Sequence, residues 1–353
     1  MVNSVLQKVM LLSLITNVYD KHPDIPLMVS CSTVVCGVTV NSFKITSLQR
    51  KIVRMGAFYR RMIDMWNIPK KTEKQHLMEH KSFINIVSFL NCLSLIAGIS
   101  WWLLLPPAVS VYEKYVTGNT TWIAPYNITN IAIMQTTPGY EILTIIYYSI
   151  TAMCVIGGCG FDSYYLESCF YLSGHFRIIR QRFQAVHFTV PGNSGEVNNK
   201  FKKEVSSIID YHNEILNACA ILQDLVRSAI LPFVLFDSIV ICTCVYTLMV
   251  VNSLIVTIAF VGISSAAVGQ IFILTYSGEV LTGRSQELLE GIYNSEWYLA
   301  SPEQRKLMIV CMMRSRKGFT FQMGIFQLAL TTFSAIVQTA GSYIALLKTI
   351  SPT

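Results

Sequence analysis

The chain is expected to be an all-α, polytopic membrane protein with seven transmembrane helices in an inverted orientation, N-terminus cytoplasmic and C-terminus extracellular. Three observations lead there. Of its 353 residues, 52% are hydrophobic and only 13% charged, whereas globular domains carry about 25% charged residues. Apolar stretches of the length a bilayer requires, about 20 residues, recur along it. The basic residues, which give a formal net charge of +7, gather in alternate segments between those stretches. That is the positive-inside pattern, so the charge reads as topology, with lipid and not nucleic acid as the partner.

In order along the chain, the first candidate span, Val5 to Tyr19, is short and carries Lys8. It is either a shallow helix or a first span truncated at its start. Six further spans run roughly Ile25 to Leu48, Phe83 to Leu105, Tyr140 to Gly160, Ala229 to Val251, Leu254 to Tyr276 and Phe319 to Leu347. After the second span come Arg50, Lys51, Arg54, Arg60, Arg61, Lys70, Lys71, Lys74 and Lys81. After the fourth come Arg177, Arg180, Arg182, Lys200, Lys202 and Lys203. After the sixth come Arg284, Arg305, Lys306, Arg314, Arg316 and Lys317. The segment from Pro106 to Pro138 has only Lys114 and is expected outside as a loop. It also holds two glycosylation acceptors, Asn119 in Asn-Thr-Thr and Asn127 in Asn-Ile-Thr. The second and fourth spans are expected to continue into the cytoplasm as helices, because Lys44 to Met65 and Glu167 to Phe188 keep helical spacing. His187 to Lys200 reads as a linker.

Ten cysteines could frame disulfides, but most fall in or beside apolar runs and none lies in the external loop. Buried free thiols are the expectation. Catalysis has no support. The histidines are scattered, no metal-spaced pair occurs, and Gly157-Gly158-Cys159-Gly160 ends a span without phosphate-loop context. No cofactor or metal is expected.

Two features of the spans invite function. On a helical projection of the last span, Gln327, Thr331, Ser334, Gln338, Ser342, Ala345 and Thr349 fall within roughly 80°. Such a stripe serves close helix packing or borders a water-filled pore. Asp237 lies well inside the fifth span, where an ionisable group costs at least ~2.5 kcal/mol on insertion scales. It is either a water-facing residue near the pore or a protonated or locally paired structural one.

The segment from Tyr276 onward is distinctive. It carries Tyr276-Ser277-Gly278, Ser285, Ile292-Tyr293 followed by Trp297, a basic helix, then Phe326, Thr332-Phe333 and Ser342-Tyr343. In this order and spacing it resembles the insect odorant receptors. His212 to Tyr246 is similar in pattern, and the first hundred residues in layout only. The resemblance implies an odorant-gated, non-selective cation channel subunit in the plasma membrane of a sensory dendrite. The second cytoplasmic loop is short, without the long insertion of the shared co-receptor Orco, which implies an odour-tuning subunit assembling with Orco as a heterotetramer. The chain then divides into residues 1–282 with the odorant pocket, 283–318 as cytoplasmic anchor helices for assembly, and 319–353 as the pore-lining helix. A gustatory-type channel working without the co-receptor and a metabotropic seven-helix receptor stay open as alternatives.

The resemblance also implies sites. Family members hold a small volatile in the outer halves of spans two to six. Here those halves offer Met28, Ser32, Val35 and Cys36; Ile99, Trp102 and Leu103; Ile145, Tyr148 and Ser149; and Tyr246, Ala259 and Phe260. Trp101 and Tyr140 read equally as interfacial anchors. The last helix from each of four subunits is expected to line the pore with Gln338 and Ser342. Leu346 and Ile350, beside Thr349, would form a constriction that blocks cations by dewetting. Lys348 is expected to snorkel outward.

Overall fold

In the computed structural model, the residues described are 15, 25–117, 138–188, 195–250, 254–324 and 326–350. Apart from Ile15, the expected first span lies outside them, as do Asn119 and Asn127. The described chain is a bundle of long helices. They are α1 (Ile25–Trp66), α2 (Lys74–Met78), α3 (Lys81–Thr117), α4 (Gly139–Gln184), α5 (Gly195–Val250) and α6 (Leu254–Tyr293). A 3-10 turn (Trp297–Leu299), α7 (Pro302–Arg316), strands β1 (Gln322–Met323) and β2 (Phe326–Gln327), and α8 (Leu330–Ile350) complete it. Helical stretches within Lys74–Ala97, Gly139–Gln184, Asn198–Val250 and Thr257–Leu299 are long and apolar enough to cross a membrane.

The side-chain pattern is that of a bundle immersed in lipid. On α3, Ile86, Phe89, Leu90, Leu93 and Ile96 point outward. On α4, Ile142, Ile145, Met153 and Ile156 are exposed, while Thr144, Tyr147, Thr151 and Cys154 turn inward. Water would select the opposite arrangement. Helix association in lipid relies on small residues and hydroxyl bridges instead of hydrophobic burial. Thr33 Oγ1 donates to Thr243 Oγ1 at 2.9 Å and Ser47 Oγ meets Ser228 Oγ at 2.9 Å, both tying α1 to α5. Gly157 and Gly158 let α4 approach α1, because a Cβ on either would run into Ile45 or Asn41. All ten cysteines are free.

At the basic end the helices outrun the membrane and pack around a second, tighter core. Cys169, Leu172, Phe176, Ile178 and Ile179 of α4, Val205, Ile215 and Leu222 of α5, and Leu281, Leu288 and Ile292 of α6 are fully buried there. Arg182 clasps Glu73 through two hydrogen bonds of 2.9 Å, and this bidentate contact holds the Glu73 carboxyl below its ordinary range. The α7 helix opens with Pro302 and a capping box in which Ser301 and Gln304 satisfy each other's backbone N–H. It turns Gln304, Met308, Cys311 and Ser315 inward and leaves Ile309, Val310 and Met313 exposed.

Two boundaries differ from the sequence reading. The expected loop from Pro106 starts later, because α3 continues through Pro106 and Pro107 to Thr117; membrane helices tolerate proline where the freed backbone groups find other partners. The last span does not begin as a helix at Phe319. Residues 319–324 and 326–329 hold the short β1–β2 pair, with Gly318 and Gly324 at positive φ, so Gln327 leaves the helical stripe. Phe321, Met323 and Leu328 are apolar because they are buried in protein, and hydropathy cannot tell that from lipid. The remaining 21 residues of α8 rise about 31 Å, enough to span a hydrocarbon core of ~30 Å.

Candidate functional site

The intramembrane half of the bundle encloses a cavity of about 130 Å³ bordered by all five helices α1, α3, α4, α5 and α6. From α1 come Thr33, Gly37 and Asn41, from α3 Ser94 and Leu95, and from α4 Thr151 and Cys154. The α5 wall is Asp237 and Val240, and the α6 wall is Ile263, Ala266, Ala267 and Gln270. Helical spacing explains which residues face in: Ile263, Ala266, Ala267 and Gln270 are three or four apart and share one side of α6. A cavity of about 150 Å³ is known to accept benzene, so this one suits a ligand of comparable size.

Just beyond the cavity, toward the basic end, lies a buried ion pair. Lys44 Nζ reaches Asp162 Oδ1 at 2.7 Å and Oδ2 at 3.0 Å, and Asn91 Nδ2 donates to Oδ2 at 3.3 Å. The ammonium also sits 4.1 Å from the centroid of the Phe233 ring. Pairing, a third donor and an aromatic face together compensate charges that hydrocarbon would otherwise expel.

The second functional element is α8. Its apolar side packs on the bundle, with Ala340 buried and Phe333 and Ile336 against the core. Its other side is uncovered: Thr331, Ser334, Gln338, Thr339 and Ser342 are exposed. Among the described residues, the side-chain hydrogen bonds along this face stay within the helix and none reaches another helix. Gln338 Nε2 donates to Ser334 Oγ at 3.2 Å, and Ser342 Oγ donates to the Gln338 carbonyl at 3.0 Å. The same helix includes Leu346, Thr349 and Ile350, whose side chains lie outside the described ones.

One helix touches both elements. After bordering the cavity up to Gln270, α6 places Phe272 edge-on to Phe333 of α8, ring centroids 5.4 Å apart. Two turns on, Gly278 lies against the chain leading into α8. A Cβ there would come 2.7 Å from the Leu328 carbonyl oxygen. Glu279 Oε2 then accepts from the Leu330 N–H at 3.2 Å, capping the first turn of α8 from outside. Further along, Ser285 Oγ accepts from the Phe319 N–H at 2.8 Å, steadying the turn at Gly318. Tyr276-Ser277-Gly278 and Ser285 therefore seat the start of the last helix. Gly278→Ala sets a methyl group against immobile backbone and is expected to cost about 1–3 kcal/mol. It should lower the detergent melting temperature and weaken any ligand-evoked response, whereas Gly262→Ala, facing open space, should do neither.

The sequence of residues 25–341 matches the family model described as 7tm Odorant receptor. The chain belongs to the odorant receptor family. This odorant receptor is 24% identical to Odorant receptor 22c of Drosophila melanogaster over 291 residues, 81% of this chain and 72% of that one. With Odorant receptor 10a of the same organism it shares 27% identity over 245 residues, 67% of this chain but only 58% of that receptor's length. Its fold is that of the insect olfactory receptor OR5 from Machilis hrabei in complex with eugenol, with a TM-score of 0.82 at 15% identity, covering 99% of this chain and 88% of that one. OR5 without that ligand gives 0.79. The protein is thus a multi-pass, all-α membrane receptor and not an enzyme.

None of the receptor's expected ligand residues whose side chains are described borders this cavity. Ser32, Val35, Cys36, Tyr148 and Tyr246 are half-buried, Ala259 and Phe260 buried, and Ile145 and Ser149 face outward. The side chains of Met28, Ile99, Trp102 and Leu103 are outside the described ones. On α3 and α5 the cavity wall lies a turn or more nearer the basic end than these residues, whereas on α1 Thr33 and Val34 lie among them. Asn41, Thr151, Gln270 and the Lys44–Asp162 pair were missed. Polar side chains inside apolar runs were the available signal; only Asp237 was read that way.

Proposed function

We propose that this receptor is an odour-tuning subunit of an odorant-gated, non-selective cation channel, in which a small volatile held within the membrane opens a pore bordered by α8. The observation that carries this reading is the uncovered polar face of α8, Ser334, Gln338 and Ser342, on a helix otherwise built for lipid. An unpartnered hydrophilic stripe in hydrocarbon is costly unless water or other subunits meet it. Four such helices around an axis would wet it. Leu346, Thr349 and Ile350 would close the outer end by dewetting, and the ligand would bind the open state more tightly than the closed one. We assign the basic end to the cytoplasm and the C-terminus to the outside, with Asn119 and Asn127 glycosylated and the plasma membrane as the site of action.

Assembly with Orco into a heterotetramer would use residues 283–318. Tyr298, Leu299, Ile309, Val310 and Met313 are exposed there, beyond the membrane, and apolar patches of that kind mark protein interfaces. The cavity, together with the expected residues Ser32, Cys36, Tyr148, Tyr246 and Phe260 on the same helices, would receive the volatile.

The test is current recorded from cells expressing the chain with and without Orco over a panel of volatiles. Odorant-evoked cation current is expected only with the co-receptor; equal current without it would favour the gustatory-type alternative. A Cβ on Gly37, which borders the cavity, meets no described atom within 4 Å, so Gly37→Leu has room to start and should project into the cavity. It is expected to abolish the response to the best volatile while surface expression is maintained.

A further inference from the structure

The polar groups on the cavity wall are not equivalent. Four direct their donors elsewhere. Thr33 Oγ1 donates to Thr243, Asn41 Nδ2 to the Gly37 carbonyl, Ser94 Oγ to the Asn91 carbonyl and Thr151 Oγ1 to the Tyr147 carbonyl. Asp237 and Gln270 differ. Asp237 is 94% buried, borders the cavity, and its Oδ2 has no hydrogen-bond partner among the described residues. The nearby ammonium does not serve it, since Lys44 is held by both oxygens of Asp162. Gln270, on the neighbouring helix, borders the same cavity, and no hydrogen bond to its amide occurs among the described residues. A buried polar group without a partner is costly, and the cost is recovered when a partner arrives. The cavity thus offers an acceptor and a donor from two adjacent helices in a chamber whose other polar side chains already donate to protein partners.

We propose that the cavity selects small volatile alcohols, whose single hydroxyl donates to the Asp237 carboxyl and accepts from the Gln270 amide. The proposal rests on the reading above, that this cavity receives the odorant. A hydroxyl is the smallest group that is donor and acceptor at one atom. An ether only accepts, and a hydrocarbon leaves both side chains unpaired. The carboxyl's terminal torsion is broad, so either oxygen can turn to meet the ligand. A cavity of about 130 Å³ favours a small ligand, and a six-carbon alkanol with a bent chain serves as the test alcohol.

The experiment compares hexan-1-ol, its isomer methyl pentyl ether and heptane on cells expressing the chain with Orco, recording dose–response currents and surface level by an antibody tag. The half-maximal concentration for the alcohol is expected to be at least about tenfold below that for the ether. Asp237→Leu should remove that gap while the ether and heptane still evoke current. Gln270→Leu should narrow it. Should Asp237→Leu fail to reach the surface, the near-isosteric Asp237→Asn serves, and the gap should shrink with surface level unchanged. Equal potency of alcohol and ether on the natural chain overturns the proposal. So does a gap that survives both the Asp237 and Gln270 variants, or silence to all three compounds. Gly37→Leu separates the two levels. If it leaves every response intact, the cavity is not the odorant site and the underlying reading falls too. If it abolishes them while Asp237→Leu keeps the alcohol gap, only the selectivity proposal falls.

Discussion

Lys44→Met is expected to destabilise the receptor by about 3–5 kcal/mol, the cost of stranding one member of a buried pair. Most of the protein should then fail to leave the endoplasmic reticulum. The pair is nearly sealed, with side-chain exposures of 1% for Lys44 and 10% for Asp162. Methionine is close to lysine in length and preserves packing over Phe233, so the loss comes from the uncompensated Asp162 carboxylate. Its one remaining described hydrogen-bond donor is Asn91. Lys44→Met combined with Asp162→Leu removes both charges and should restore much of the stability, since replacing a whole buried pair by apolar residues is often neutral. Melting of the detergent-purified protein and the fraction at the cell surface both report the effect. A single variant as stable as the natural chain would show that the pair is not needed to join α1 and α4.

Gln338→Lys is expected to reduce odorant-evoked current by about tenfold or more. Two like charges about 4 Å apart repel by ~1 kcal/mol in water and ~4 kcal/mol at an effective dielectric constant of 20, and a narrow pore lies between these limits. Gln338→Glu should keep the current and raise the preference for divalent over monovalent cations. The contrast depends on Gln338 facing the ion path, where its side chain is exposed and bonded only to Ser334 within its own helix. Whole-cell current normalised to surface level, with reversal potentials in mixed-ion solutions, checks it. Unchanged conductance and selectivity in both variants would remove α8 from the pore.

Much of the architecture was legible because lipid imposes simple rules. Apolar runs and alternating basic blocks located the helices, and helical spacing in Lys44 to Met65 foretold that α1 would run on to Trp66. The start of the last helix was not legible from hydropathy. Phe319 to Leu328 is rich in large apolar residues, yet among the described residues it is a short hairpin packed against α4, α5 and α6. The two glycines at positive φ, Gly318 and Gly324, were the punctuation that marked it. The Lys44–Asp162 contact joins residues 118 positions apart, and no spacing rule reaches across that distance. The five-helix cavity was not legible in the sequence either. Its depth is set by how each helix rotates and slides against its neighbours, through contacts such as Gly158 on Asn41 and Thr33 on Thr243.

The central claim is that a volatile in the five-helix cavity opens a water path along the polar face of α8. Cysteine accessibility tests it most directly. A membrane-impermeant thiol reagent applied outside should modify Ser342→Cys and alter the current only while odorant is present. It should leave Ala340→Cys, on the buried side, and the parent chain untouched. Reaction at Ala340→Cys without reaction at Ser342→Cys, or modification of Ser342→Cys at one rate with and without odorant, would contradict the account.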